Sequence, residues 1–255
     1  MVAAIVYVPS YLAADLGPIA GRGTMVLVRS VYIGACAMTR SPKRQWALTM
    51  IGYCGPIVTD LPLRCSCGRV RGLARDLSPG AGLRFPCYCH DCQAFIRFLD
   101  RREVLDAAGG TDIFQMAPAR VVLDTGVEAL RCIRLSDRGV LRWYTDCCHT
   151  PVANTADTPR FPLVAIIRPF MDHETDGRPR DEVLGPPRCR LFERSAAGPL
   201  PPRAPAPPSV RVLARRTALL LGWWIRGLAH PSPFFDEHTG APHAKPEVLS
   251  RRGVG

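Results

Sequence analysis

Seven of the eleven cysteines fall into three tight clusters, and this pattern constrains the fold more than any other feature of the sequence. The clusters are a C-x-C at Cys65 and Cys67, a C-x-C-x-x-C at Cys87, Cys89 and Cys92, and the adjacent pair Cys147 and Cys148. Cysteines that are adjacent or one residue apart are poorly placed to form disulfides with each other. A redox pair needs only a C-x-x-C. Clusters of this kind more often bind a metal in a reducing compartment.

Zinc binds thiolates tetrahedrally, and seven cysteines are too many for one such ion but nearly enough for two. The economical partition gives one zinc the first and last clusters, and gives a second zinc the central triad with one position open. A site closed by four thiolates is structural, whereas an open position can bind substrate or water. Each cluster alone is also compatible with a zinc ribbon or with free core thiols, and spacing does not decide whether the second site is open.

The sequences LRCSCGRVRG, PCYCHDCQ and WYTDCCHTPVANT together resemble the glutathione-dependent formaldehyde-activating enzyme family, which includes centromere protein V. That family has C-x-C-G-x-V, then C-x-C-x-x-C, then F-C-x-x-C-G-T-P. The resemblance extends over about residues 61–156 and implies a β-tent fold with two zinc ions, one structural and one catalytic. It also implies carbon–sulfur lyase chemistry on a glutathione adduct of formaldehyde.

The resemblance assigns the first pair to the structural zinc and the triad to the catalytic zinc, residue by residue: Cys65, Cys67, Cys87, Cys89 and Cys92. The third motif departs from the family pattern. Aligning Cys148 with the second cysteine of the family motif puts Thr145 at the position of the first. We therefore expect the neighbouring Cys147 to substitute as a ligand. The alignment does not determine the identity of the fourth ligand of the structural zinc. Position 93, often basic in the family, is Gln93.

A zinc ion on three thiolates is a soft Lewis acid, and its open position suits a small thiol such as glutathione. Arg84 or Arg97 is a candidate to hold a glutathione carboxylate, the alternative being that each is a surface arginine. His149 is a weaker candidate ligand beside Cys148. The rival function is a non-catalytic zinc module that binds protein or nucleic acid. A fourth ligand from His90 or Asp91 would favour that module.

From about residue 61 the sequence breaks into short β-type runs separated by turns, which predicts a mainly β fold of short antiparallel strands with a C-terminal helical extension. We predict a hairpin with cysteines at its tip, and a helix after the triad capped by Asp91. Cys132 is predicted to be a core thiol.

The predicted organisation has four parts. Residues 1–57 form an irregular extension, which we hypothesise to be translated upstream sequence with Val58 as the true start. Residues 58–171 form the zinc-binding β-tent domain, 172–210 a poorly packed proline-rich linker, and 211–255 a helix and tail. The helix sequence RVLARRTALLLGWWIRGL favours packing on the β domain over a membrane-surface role.

The net charge of +11 is spread along the chain, with +3 in residues 1–60, +3 in 61–160 and +5 in 161–255. A nucleic-acid-binding protein usually concentrates its charge on one face, so this distribution gives no clear indication of nucleic-acid binding. No apolar run approaches the roughly 20 residues of a membrane span, and the start does not have the pattern of a secretory signal. We therefore predict a cytoplasmic protein. The sequence leaves the oligomeric state open.

Overall fold

Short strands form two sheets in the computed structural model of the protein. The structure describes residues 58–136, 139–172 and 177–249. The strands are β1 (Thr59–Arg64), β2 (Arg71–Leu77), β3 (Leu83–Cys87), β4 (Thr111–Met116), β5 (Val121–Thr125), β6 (Leu130–Arg134), β7 (Leu141–Thr145), β8 (Pro151–Thr155), β9 (Val164–Ile167) and β10 (Glu247–Val248). The helices are α1 (His90–Phe98), α2 (Arg180–Leu184) and α3 (Val210–Ile225). The predicted mainly β class with a C-terminal helix is confirmed. The extension predicted for residues 1–57 lies outside the described residues.

The smaller sheet has three antiparallel strands in the order β1-β2-β5. β1 and β2 are joined by a tight turn, in which the amide of Cys65 donates to the carbonyl of Val70 at 3.0 Å. Gly68 adopts a φ of +77°, a left-handed conformation that glycine reaches without a steric penalty. The first C-x-C pair therefore lies at the tip of a hairpin, as predicted.

The larger sheet has seven strands in the order β10-β6-β7-β8-β9-β4-β3. Neighbouring strands are antiparallel except for the parallel pair β10 and β6. The turn between β7 and β8 carries the third cysteine cluster, and β3 ends at the first cysteine of the triad. Two turns and the junction of β3 with α1 thus supply all seven clustered cysteines.

The main core includes buried side chains from both sheets, and Trp143 on β7 is fully buried in it. Its indole nitrogen donates to the hydroxyl of Thr155 at 3.0 Å. The rings of Phe234 and Phe235 lie 5.1 and 6.2 Å from the tryptophan ring. Aromatic pairs at these separations stabilise a fold beyond their burial, so the chain after α3 is an integral part of the domain.

Part of the segment before α3, residues 183–191, packs on the domain, whereas composition predicts a poorly packed linker over residues 172–210. Val183, Leu184 and Cys189 are buried. The amide of Leu191 donates to the carbonyl of Pro86 at 3.0 Å, and its carbonyl accepts from the amide of Tyr88 at 3.0 Å. The segment runs parallel to β3, and the edge of the larger sheet supplies its hydrogen bonds.

Helix α3 begins where the hydroxyl of Ser209 accepts a hydrogen bond from the amide of Val212, which is a typical N-cap. Val212 packs on the same apolar cluster as the cysteine triad, and Arg216 donates to Gln115 at 3.2 Å. The predicted packing of this helix on the β domain is therefore confirmed. Among the described residues, every helix is too short or too polar to cross a membrane.

Candidate metal centres

Two turns bring the first and third clusters into one group. The sulfur of Cys65 lies 3.5 Å from that of Cys67 and 3.9 Å from that of Cys147. Cys147 is 3.3 Å from Cys67 and 3.8 Å from Cys148. All four sulfurs lie within 4.8 Å of one another, and all four cysteines are free thiols.

These spacings fit ligands around a single ion. Thiolates held tetrahedrally at about 2.3 Å from zinc lie about 3.8 Å apart, whereas the sulfurs of a disulfide are only about 2.05 Å apart. The observed sulfur–sulfur distances of 3.3 to 3.9 Å match the first arrangement. The four-cysteine group can therefore hold a metal ion.

A distorted turn lets the adjacent cysteines Cys147 and Cys148 enter the same group. His149, the next residue, has a φ of +53°, in the left-handed region that costs a non-glycine residue roughly 1–2 kcal/mol. Its amide donates to the carbonyl of Thr145 at 2.9 Å and closes the turn. The imidazole of His149 packs edge-on against Tyr144 and does not belong to the ligand group.

Two threonine hydroxyls lie beside the Cys148 sulfur, Thr145 at 3.4 Å and Thr150 at 3.2 Å. Burial raises the pKa of this thiol, but hydrogen bonds with Thr145, Thr150 and Cys67 together outweigh burial and lower the pKa to about 5. Thr150 also accepts from the amide of Ser66 at 2.9 Å and so connects the two ligand-bearing turns. The sequence analysis missed Thr150, because a threonine inside a turn carries no distinctive signal.

The central triad is assembled where β3 meets α1. Cys87 ends β3, Cys89 is the N-cap of α1, and Cys92 lies in the first helical turn. The sulfur of Cys87 is 3.4 Å from that of Cys89 and 3.7 Å from that of Cys92. Cys87 and Cys92 are buried while Cys89 is half-buried, so Cys89 marks the side of the triad that faces solvent.

The cap of α1 differs from the prediction, because Cys89 and not Asp91 precedes the helix. The Cys89 sulfur accepts a hydrogen bond from the amide of Cys92 at 3.4 Å. Hydrogen bonds from Cys87 and Cys92 lower the pKa of the Cys89 thiol. A helix N-terminus also favours negative charge, so the fold stabilises a thiolate at this position.

A buried arginine that the sequence analysis missed lies against the triad. Arg142 on β7 donates from Nη1 toward the Cys92 sulfur at 3.7 Å and toward Oδ1 of Asn154 at 3.4 Å. Its Nη2 is 3.5 Å from the carboxylate of Asp91. The Arg142 side chain is only 5% exposed, so its charge is held close to the thiolates. In the sequence it is one arginine in a strand, and nothing there indicates the inward orientation.

Gln93 has a structural role in place of the basic residue that the resemblance suggests. Its side-chain amide donates to the carbonyls of Tyr88 and Ser195, both at 2.8 Å. Nearby, the hydroxyl of Tyr88 donates to Asp106 at 3.0 Å. These bonds fix the backbone between the first two triad cysteines.

The other candidates of the sequence analysis lie apart from the triad ligands. Arg84 is buried and pairs with Asp112 and Asp181. It points to the opposite face of β3 from Cys87. The expectation that Arg84 holds a ligand carboxylate at the mouth of the triad is therefore wrong. His90 is exposed, and among the described residues neither His90 nor Asp91 joins the ligand group.

Among known proteins, a family model described as a family of unknown function, DUF6151, matches residues 57–247. No curated protein matches the chain. The matched range includes both cysteine groups and most of the segments that pack around them. The chain therefore belongs to the DUF6151 family of unknown function.

Proposed function

We propose that this protein is a zinc-dependent enzyme of the carbon–sulfur lyase type that acts in the cytoplasm on an adduct of glutathione or another small thiol. The observation that carries the proposal is the three-thiolate group Cys87, Cys89 and Cys92. Within the described ranges, no fourth cysteine, histidine or carboxylate joins that group at ligand distance. Three protein ligands with one open position are typical of catalytic zinc.

The donor set supports zinc as the metal. Tetrahedral all-sulfur sites select zinc or iron–sulfur clusters, and one closed four-thiolate group beside an open three-thiolate group suits two zinc ions. The sulfur spacing of 3.4 and 3.7 Å in the triad fits a zinc–sulfur distance of about 2.3 Å.

The turn at His149 supports the resemblance to the formaldehyde-activating family. That resemblance aligns His149 with the glycine of the C-G-T-P motif, and His149 has the left-handed backbone that glycine adopts most readily. The same alignment puts Thr145 at a family cysteine, and Thr145 lies 3.4 Å from the Cys148 sulfur. Both observations favour the alignment with the family motif.

The protein's own groups would prepare the site for an anionic sulfur ligand. Buried Cys87 and Cys92, together with half-buried Cys89, would hold the ion. Arg142 offsets the negative charge that accumulates when thiolates gather. A bound zinc ion would supply Lewis acidity and lower the pKa of a thiol at the open position.

In the cleavage direction, the carbon–sulfur bond of a hydroxymethyl adduct breaks and its electron pair returns to sulfur. The hydroxyl oxygen forms the carbonyl of formaldehyde and releases its proton. His90 is exposed and adjacent to Cys89, so its imidazole is the group that we assign to accept this proton. The products are a free thiol and formaldehyde, so no oxidant or reductant is needed.

The test is metal content followed by thiol binding. We expect two zinc ions per reduced chain. In a cobalt-substituted sample, glutathione should change the visible absorption of the wild type and of Cys67→Ser, but not that of Cys89→Ser, because only the last variant loses a triad ligand. Formaldehyde release from the glutathione adduct should follow the same order. One zinc per chain, or two with no spectral response to thiol, would refute the enzyme proposal.

The alternative proposal is a non-catalytic zinc module with both ions structural. It is favoured by the apolar cover of the triad, since Leu191 and Val212 pack on the cluster that contains Cys87 and Cys92. Two zinc ions that are insensitive to added thiols and resistant to chelators would support this alternative.

A further inference from the structure

A cavity of about 400 Å³ opens next to the four-cysteine group, away from the triad. Its volume lies within the range of small-molecule sites. Cys65 and Ser66 form one wall, and no triad cysteine lines it. The described residues with charged side chains around it are Arg64, Arg101, Glu103, Arg168, Asp172 and Arg180.

The described lining has an excess of positive charge, because four arginines face two carboxylates. Arg64 pairs with Asp172 at 2.9 Å, and Arg101 pairs with Glu103. These two pairs use both carboxylates. Two arginines, Arg168 and Arg180, are left without an acidic partner from the described cavity wall.

Arg180 has an incomplete set of partners. It pairs with Asp112 at 3.0 Å, but Asp112 also accepts from Arg84 at 2.9 Å, so one carboxylate serves two guanidinium groups. The Nε of Arg180 is buried and has no hydrogen-bond partner among the described residues. Burial, and next the charge of Arg168, lower the pKa of Arg180. Arg84 also pairs with Asp181, so two carboxylates balance Arg84 and Arg180, and Arg168 is the lining arginine without an acidic partner among the described residues.

Arg168 is exposed, and within the described ranges its side chain forms no hydrogen bond or ion pair. The thiolates of the four-cysteine group do not account for it. Arg101 is the lining arginine that contacts that group, donating to the carbonyl of Cys148 at 2.8 Å and to the hydroxyl of Ser66 at 3.0 Å. Arg168 thus supplies free donors to the cavity, close to the guanidinium of Arg180.

We propose that this cavity binds a small molecule with an oxyanion group, either a phosphate ester or a carboxylate. The guanidinium fork matches both phosphate and carboxylate oxygens in geometry. The guanidinium of Arg168 and the excess of arginines in the described lining match an anion in charge. The site is distinct from the triad, so it extends beyond the proposed lyase activity and does not depend on it.

The test is isothermal titration of the full, metal-replete chain with inorganic phosphate and, separately, with succinate at constant ionic strength. We expect saturable binding of at least one probe, with one molecule per chain. Arg168→Gln should weaken that binding about tenfold or more, because hydrogen bonds to charged groups are lost. The variant should fold normally, since Arg168 is exposed. Phosphate binding alone would identify a phosphate ester as the ligand class, and succinate binding alone would identify a carboxylate.

Arg75→Gln is the matched control, because Arg75 is exposed on β2 and does not line the cavity. It removes the same charge from the chain and should leave the dissociation constant unchanged. Cys89→Ser should also bind the probe normally, so a failure of the triad and a failure of this site are distinguishable. Absence of saturable binding, or an equal loss in Arg75→Gln and Arg168→Gln, would overturn the proposal.

Discussion

Replacement of Arg142 by methionine should selectively weaken metal binding at the triad. Methionine preserves much of the length and apolar volume of the side chain but has no donor. The change removes the contacts to Cys92 at 3.7 Å and to Asn154 at 3.4 Å, and it removes the cation positioned 5.8 Å from the ring of Phe95.

The magnitude follows from the position of Arg142 behind a ligand. Loss of a residue that hydrogen-bonds to a metal ligand typically lowers metal affinity 10- to 100-fold, which corresponds to about 1.4–2.8 kcal/mol. The side chain is 5% exposed, so water cannot readily replace its charge, and we expect the upper part of that range.

The assay is zinc release to a chromophoric chelator, titrated over increasing chelator concentration. The four-cysteine group, which Arg142 does not contact, serves as an internal reference. We expect one zinc of Arg142→Met to leave at lower chelator concentration and the other to be retained as in the wild type. Arg75→Met is the control, since Arg75 is exposed on β2.

Two results would refute this reasoning. Unchanged release of both ions would mean that Arg142 contributes packing and not charge. An equal shift of both ions would indicate general destabilisation, which urea unfolding of the same samples would reveal.

Three further predictions address the supports of the triad and the unassigned thiols. Gly110→Ala should lower the free energy of unfolding by about 1–3 kcal/mol in a urea titration and weaken metal retention at the triad, because a Cβ there would lie 2.5 Å from the ring of Tyr88. Gly222→Ala is the control and should not lower the free energy of unfolding, because the space around Gly222 is open. Cys132 is buried, and burial raises its pKa to about 12, so it should stay thiol and resist iodoacetamide at neutral pH in the native protein, as read by mass spectrometry; labelling before unfolding would contradict this. Cys189→Ala should keep two zinc ions per chain, because Cys189 does not belong to the triad ligand group; loss of one ion would make it a ligand.

The clustering of thiols within each motif could be predicted from the sequence because short-range spacing determines it. C-x-C places thiols at the tip of a tight turn and C-x-x-C places them at the start of a helix, and both depend on neighbours a few residues away. The mainly β class was predictable for the same reason. The assignment of Cys147 and Cys148 to one group was uncertain, because it depends on the backbone of His149.

The roles of the arginines could not be predicted, because strand pairing across long sequence separations determines them. Arg142 reaches Cys92 only because β7 and α1 are adjacent in the fold, and Arg84 is buried by Asp112 and Asp181 from elsewhere in the chain. The packing of residues 183–191 could not be predicted for a related reason. The hydrogen bonds of this segment are formed with the edge of β3, and the composition of a segment does not show which distant strand it pairs with.

The coverage of the larger sheet on both edges has a consequence for handling the protein. The segment at Leu191 covers β3 at one edge, and β10 (Glu247–Val248) covers β6 at the other. Unpaired strand edges are templates for aggregation between molecules. A chain truncated after β9 would keep all seven clustered cysteines, but both edges of the larger sheet would be unpaired. Expression of the isolated cysteine-containing domain is therefore expected to yield aggregates, because the C-terminal third of the chain covers both edges of the sheet that carries the triad.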